Sequence, residues 1–157
     1  MRKSVVAMFK GRGKADLRAR REMLGLTQGD VADMLGVTVM SVNRWERPGK
    51  NDAPPEAWEL IEGYERRMAD SVDACASIAE DAAAKAGKPP KAVQITVFRS
   101  QEDYDRWGRD DGIFRFANAC AFEAARTLAS EGFDVEFVYP GDSIVPTAKH
   151  GRLRHGE

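Results

Sequence analysis

Residues able to carry covalent chemistry are few in this sequence and poorly placed. Both histidines, His150 and His155, lie within the last eight residues of a 157-residue chain. That position argues against a Ser-His, Cys-His or histidine-metal site inside the folded body. Cys75 and Cys120 show no metal-ligand spacing and are too few for a disulfide framework. They fit a reducing cytoplasm. Acids gather at Glu102, Asp103, Asp105, Asp110 and Asp111 around a short helix and loop. No base or metal set converges with them, and acids so placed are usually solvated. The expectation is no catalysis, no metal and no cofactor.

Binding chemistry is better represented. From Met1 to Lys50 there are eleven Lys/Arg against five Asp/Glu, about +6, while the rest of the chain carries about −7. A basic N-terminal third on an otherwise acidic protein points to a polyanion met by that third, although a solvated charged surface gives the same count. Within it, Thr27–Glu46 reads TQGDVADMLGVTVMSVNRWE. Thr27 and Thr38 stand as oxygen caps before two short helical stretches, and Asp30 supplies an acid in the first turn. Ala32 is small where two helices would cross, Gly36 permits a sharp turn, and Val42 would pack back from the second helix. One such match is common in helical proteins; all three with both caps describe helix, tight turn, helix.

The elements that position this segment follow from punctuation and period. Ala15–Leu24 is rich in helix formers and stops at Gly25. The next helices run Gln28–Leu35, with Val31, Met34 and Leu35 on one face, and Val39 to about Arg47, broken by Pro48-Gly49. A further helix starts at Asp52-Ala53-Pro54-Pro55 and continues to Ala86. Its apolar stripe is Trp58, Ile61, Met68, Val72, Cys75, Ile78 and Ala82. At 1.5 Å per residue this is roughly 45 Å, too long for one small domain. The expectation is a short helix closing the N-terminal domain and a connecting helix that packs elsewhere, a second subunit being one such place, with any kink near Gly63 or Asp70.

The final third changes character. Ala92–Phe98 alternates as a half-buried strand, with Val93, Ile95 and Val97 on one side. Ser100 with Asp103 opens a short helix in the manner of a capping box. Ile113–Ser130 is an alanine-rich helix expected to bury Phe114, Ala117, Ala121, Ala125 and Leu128. A second strand places Phe133, Val135, Phe137 and Tyr139 against Asp134 and Glu136. Two strands are marginal alone, and pairing with a copy would make four; this is the main ground for expecting a homodimer. A pair that closes within one chain would undercut that ground and the inverted repeat that goes with it. The fold class expected is mainly α with a small α+β C-terminal part. Its divisions are a basic arm at 1–13, a DNA-binding bundle at 14–66, a connecting helix and linker at 67–91, a β-α-α-β dimerisation unit at 92–140 and a loose tail at 141–157. The start has too short an apolar stretch for a secretory signal, and no run is long enough to span a membrane.

Residues 14–65, with LRARREMLGLTQGDVADMLGVTVMSVNRWERPG at their centre, resemble the Xre/Cro-type phage-repressor domain, a bundle of four or five helices. The resemblance implies that Gln28 caps the second helix and binds a DNA phosphate. It also implies a partly buried pair between Arg21 and Glu46. Pro48 departs from the glycine usual after the glutamate, which bears on the loop touching the DNA backbone. The recognition helix is then Val39–Arg47, entering the major groove of double-stranded DNA. Val39 and Met40 would meet thymine methyl groups, or else serve as minor core packing. Ser41 and Asn43 can bond phosphate or base edges. Arg44 is the candidate for a guanine, its alternative being a phosphate contact. Trp45 faces the core, while Thr38, Arg47 and Lys50 would meet phosphates. Arg2, Lys3, Lys10, Arg12 and Lys14 form an arm that either follows the minor groove or stays a mobile tail. Gly11-Arg12-Gly13-Lys14 lacks the spacing of a phosphate-binding loop.

The order of repressor domain, long helix, strand, FRSQEDYDRW helix and closing helix-strand is similar to the anti-CRISPR-associated repressors of phages and mobile elements. Those are homodimers that repress their own operon through an inverted repeat, and the corresponding dimerising stretch here is Val93–Tyr139. The implied function is an autoregulatory repressor on a palindromic operator. The rival is an antitoxin whose acidic C-terminal half holds a basic toxin as a protein partner.

Overall fold

The computed structural model describes residues 8–49, 51–88 and 92–142. Among them the order is α1 (Lys14–Met23), α2 (Gln28–Leu35), α3 (Val39–Glu46), α4 (Pro55–Ala86), β1 (Val93–Thr96), α5 (Gln101–Trp107), α6 (Phe114–Ser130) and β2 (Val135–Val138). The protein is mainly helical with a small two-stranded sheet toward its C-terminal end. Two compact units divide between Asp70 and Ser71.

In the first unit, each helix boundary has a local cause. Asp16 Oδ2 accepts from Gly13 N–H at the start of α1, 2.9 Å. Gly25 ends α1 at φ 71°, and Leu26 N–H returns to Arg21 C=O at 3.2 Å. Thr27 caps α2 by accepting from Asp30 N–H, and Asp30 accepts from Thr27 N–H in return. Pro48 holds Arg47 extended at ψ 137° and stops α3. Buried Leu17, Leu24, Leu26, Val31, Ala32, Val42, Trp45, Ala57, Trp58 and Ile61 form the core. Each large side chain among them contributes about 1.5–3 kcal/mol of burial. Met34, expected on the inner face of α2, is instead exposed, its sulfur accepting from the Tyr64 hydroxyl at 3.2 Å.

Helix α4 departs from expectation. It runs unbroken for 32 residues through Gly63 and Asp70, with proline only at its first position. A single glycine costs about 1 kcal/mol in a helix, too little to break one so long. Its buried line in the second unit is Val72, Ala76 and Ala79, whereas Ile78 is 69% exposed and Ala82 is exposed. The larger side chains had suggested the wrong line. At 3.6 residues per turn, the 72-76-79 spacing follows the Met68–Val72 face and the 75-78-82 spacing drifts off it.

The second unit pairs β1 with β2 in parallel, Val93 opposite Val135 and Ile95 opposite Phe137. Parallel pairing needs a long crossover, and α5 with α6 provides it. Helix α6 packs on both strands. Its buried residues are Phe116, Ala119, Cys120, Ala124, Ala125 and Leu128; of the set expected to be buried, Ala125 and Leu128 are, while Phe114, Ala117 and Ala121 are half-buried. Asn118 secures the end of β1: its Oδ1 accepts from Phe98 N–H and its Nδ2 donates to Phe98 C=O, both at 2.8 Å. Ser100 caps α5 by accepting from Asp103 N–H at 3.1 Å. Both strands are shorter than expected, and Phe137 and Tyr139 are about half exposed where burial was expected. The sheet forms inside one chain, so its formation no longer argues for a dimer or for the inverted repeat expected with it. Among the described residues the sheet has two strands, with β1 at one edge and β2 at the other. The tail beyond Asp142, with both histidines, lies outside the described residues.

Candidate nucleic-acid interface

Helices α2 and α3 meet across Gly36, which holds φ 66° and ψ 34°. That left-handed conformation lets Val37 N–H reach back to Ala32 C=O at 3.0 Å, closing the turn. Ala32 and Val42, each 1% exposed, bring the two helices into contact beneath the turn. Thr38 Oγ1 accepts from Ser41 N–H at 3.1 Å and starts α3.

The orientation of α3 is fixed from its inner face. Val42, Trp45 and Glu46 are buried. Arg21 donates twice to Glu46, Nε to Oε2 and Nη2 to Oε1, both at 2.7 Å, and its Nη1 donates to Leu26 C=O at 2.9 Å. The hydrogen bonds that Arg21 donates to Glu46 outweigh burial and hold its guanidinium above its ordinary range. A bidentate pair of this kind ties α1 to α3 with directional precision.

The outer face carries the residues expected to meet DNA. Val39 and Met40, adjacent at the start of α3, are 50% and 54% exposed. Arg44 and Arg47 are exposed, and Ser41 and Asn43 half-buried. Ser41 Oγ lies 3.1 Å from Thr38 Oγ1. Lys50 lies outside the described residues. Gln28 does not cap α2; Thr27 does, because the cap position precedes the first helical residue. The Gln28 amide instead spans to α3, its Nε2 donating to Glu46 Oε1 at 3.2 Å.

Two features of the arm were misread. Arg12 pairs with Glu62 at 2.6 Å, and Lys14 Nζ donates to Asn51 C=O at 2.7 Å, so both are bound to the bundle. Lys10 is exposed, and Arg2 and Lys3 lie outside the described residues. A second buried ion pair was missed altogether. Arg20, 2% exposed, donates to both oxygens of Glu65 and, through Nη1, to Gly11 C=O at 2.7 Å. Its guanidinium also lies over the Trp58 ring, 5.3 Å from the centroid. The available signal was Glu65 itself, four residues after Ile61 and three before Met68 on an apolar line.

The acids around α5 serve the local fold. Asp103 pairs with Arg99, Asp105 accepts from Gln101, and Asp110 accepts from the Tyr104 hydroxyl and Gly112 N–H. No group of three or more metal-ligating side chains occurs among the described residues.

Comparison with known families decides what this interface belongs to. Residues 17–63 match the helix-turn-helix family model. The helix-turn-helix match covers most of α1, all of α2 and α3, and the start of α4, the stretch that holds Arg21, Glu46 and the exposed face of α3. The match supports a DNA-binding transcription regulator of the Xre kind. No curated protein matches the chain. Among the described residues, no helix is long and apolar enough to cross a membrane.

Proposed function

We propose that the protein is a sequence-specific repressor that binds an inverted-repeat operator as a homodimer and regulates its own operon. The observation that carries this reading is the two-sided α3: its inner face is locked by Glu46, Val42 and Trp45, and its outer face presents Val39, Met40 and Arg44. Val39 and Met40 then contact thymine methyls, and Arg44 takes a guanine edge. Ser41 and Asn43 add polar contacts, while Gln28, Thr38, Arg47 and Lys50 hold phosphates and set the register.

In this reading residues 14–66 bind DNA, 67–91 connect, and 92–140 dimerise. The similarity to anti-CRISPR-associated autorepressors rests on the element order of the C-terminal unit. Two recognition helices on one palindrome lie roughly 34 Å apart, one DNA turn. Footprinting on the DNA upstream of the coding sequence tests the proposal. The expected result is two protected half-sites one turn apart. A single half-site, or protection that ignores sequence, contradicts it.

A further inference from the structure

The two edges of the sheet are not equivalent. The bonds from Val93 N–H to Asp134 C=O and from Val97 N–H to Val138 C=O show which β2 residues turn toward β1. Backbone direction alternates along a strand, so Val135 and Phe137 direct their N–H and C=O groups outward from β2. On the other side, β1 directs Gln94, Thr96 and Phe98 outward, and the Asn118 side chain fills both groups of Phe98. The β1 edge is thus blocked at its end, while aromatic surface rims the β2 edge. Phe137 is 50% exposed, and Phe122 of α6 is 45% exposed, with its ring edge-on to Phe137 at 5.9 Å. An exposed apolar strand edge is a site for pairing with another strand.

We infer that the outer edge of β2 pairs antiparallel with β2 of a second copy, with Phe137 on the two-fold axis. This names the surface for the dimer proposed above and rests on that reading. Self-pairing is favoured by the sequence of the strand itself. Centred on Phe137, the pairing sets Val135 opposite Tyr139, Glu136 opposite Val138 and Phe137 opposite its own copy. No acid then faces an acid. Centring on Glu136 would oppose two glutamates, and centring on Val135 would oppose Asp134 to Glu136, both unfavourable. The favoured register continues the apolar face across four strands and brings the Phe122–Phe137 rims together, covering surface that one chain leaves to water.

Sedimentation equilibrium of the full chain, alone and carrying Phe137→Asp, tests the surface. The wild type is expected to be a dimer at micromolar concentration. Phe137→Asp is expected to raise its dissociation constant by roughly a hundredfold or more, as loss of a central anchor does. Val135→Pro gives a second variant, because it removes an outward N–H that makes no bond to β1; it is expected to weaken the dimer while the monomer keeps its circular dichroism. Phe137→Cys is expected to cross-link under mild oxidation, since directly opposed residues lie about 5.5 Å apart at Cα. Ala129→Cys, also exposed, and the wild type with its native cysteines are expected not to. A dimer unchanged by Phe137→Asp and Val135→Pro overturns this surface and leaves the dimeric repressor standing. A wild-type monomer at micromolar concentration overturns both.

Discussion

Gln28 Nε2 donates at 3.2 Å to Glu46 Oε1, the same oxygen that Arg21 Nη2 holds at 2.7 Å. One carboxylate therefore joins three helices: α1 through Arg21, α2 through Gln28, and α3 on which it stands. The residue expected to touch phosphate and the residue that fixes the recognition helix share an acceptor. Gln28 Nε2 carries two hydrogens, and the bond to Glu46 uses one, leaving a donor of the right sign for a phosphate.

Replacing Glu46 leaves the Arg21 guanidinium buried without its counter-charge. Glu46→Ala is expected to lower stability by about 3–5 kcal/mol, read from urea unfolding midpoints. Replacing both partners, Arg21→Met with Glu46→Leu, is expected to recover most of that loss, since well-packed apolar residues avoid the desolvation cost. A single variant as stable as wild type would show that the pair does not organise the bundle.

Gly36 permits a cleaner test of backbone strain. No atom lies within 4 Å of where a Cβ would stand, so any cost comes from φ 66° alone. Gly36→Ala is expected to cost about 1–2 kcal/mol, and Gly36→Asn less, because asparagine visits the left-handed region more readily. Equal thermal midpoints for Gly36→Ala and wild type would mean that the turn relaxes into another conformation.

These two sites also show what could be read from the chain and what could not. Gly36, Ala32, the caps and the apolar line through Val42 act over four to six residues, so their spacing exposes them. The Arg20–Glu65 pair joins residues 45 positions apart, and no local period carries that information. The line along α4 holds for Trp58, Ile61, Met68 and Val72 but departs beyond them, because Ile78 outranks Ala76 in hydrophobicity while only Ala76 lies on the buried face. In the sheet, alternation located both strands. It could not announce their parallel order, nor that Phe137 would stand at an edge, half exposed beside Phe122 of α6.

Cys75 gives the chain an alkaline sensitivity. Burial pushes its thiol above the ordinary range, with nearby Arg109 opposing more weakly. The folded state thus favours the neutral thiol. The stability it contributes is full below the unfolded thiol pKa and is lost as pH rises above about 8.5, where the unfolded chain ionises first. The expected outcome is a fall in urea midpoint between pH 7.5 and 9.5 that Cys75→Ala reduces. An identical pH slope in the variant would assign the effect to other groups.

The central claim is that the exposed face of α3 reads DNA sequence through Arg44. Its most direct test is the affinity of wild type and Arg44→Ala for the upstream DNA and for a scrambled duplex, at two salt concentrations. The expected wild-type result is tight binding to the upstream DNA with steep salt dependence, because phosphate contacts release counterions. Arg44→Ala is expected to lose about 1–3 kcal/mol on that DNA and little on the scrambled duplex, so the preference collapses while the salt slope stays close to wild type. Equal wild-type affinity for both duplexes, with Arg44→Ala unchanged on each, would contradict it.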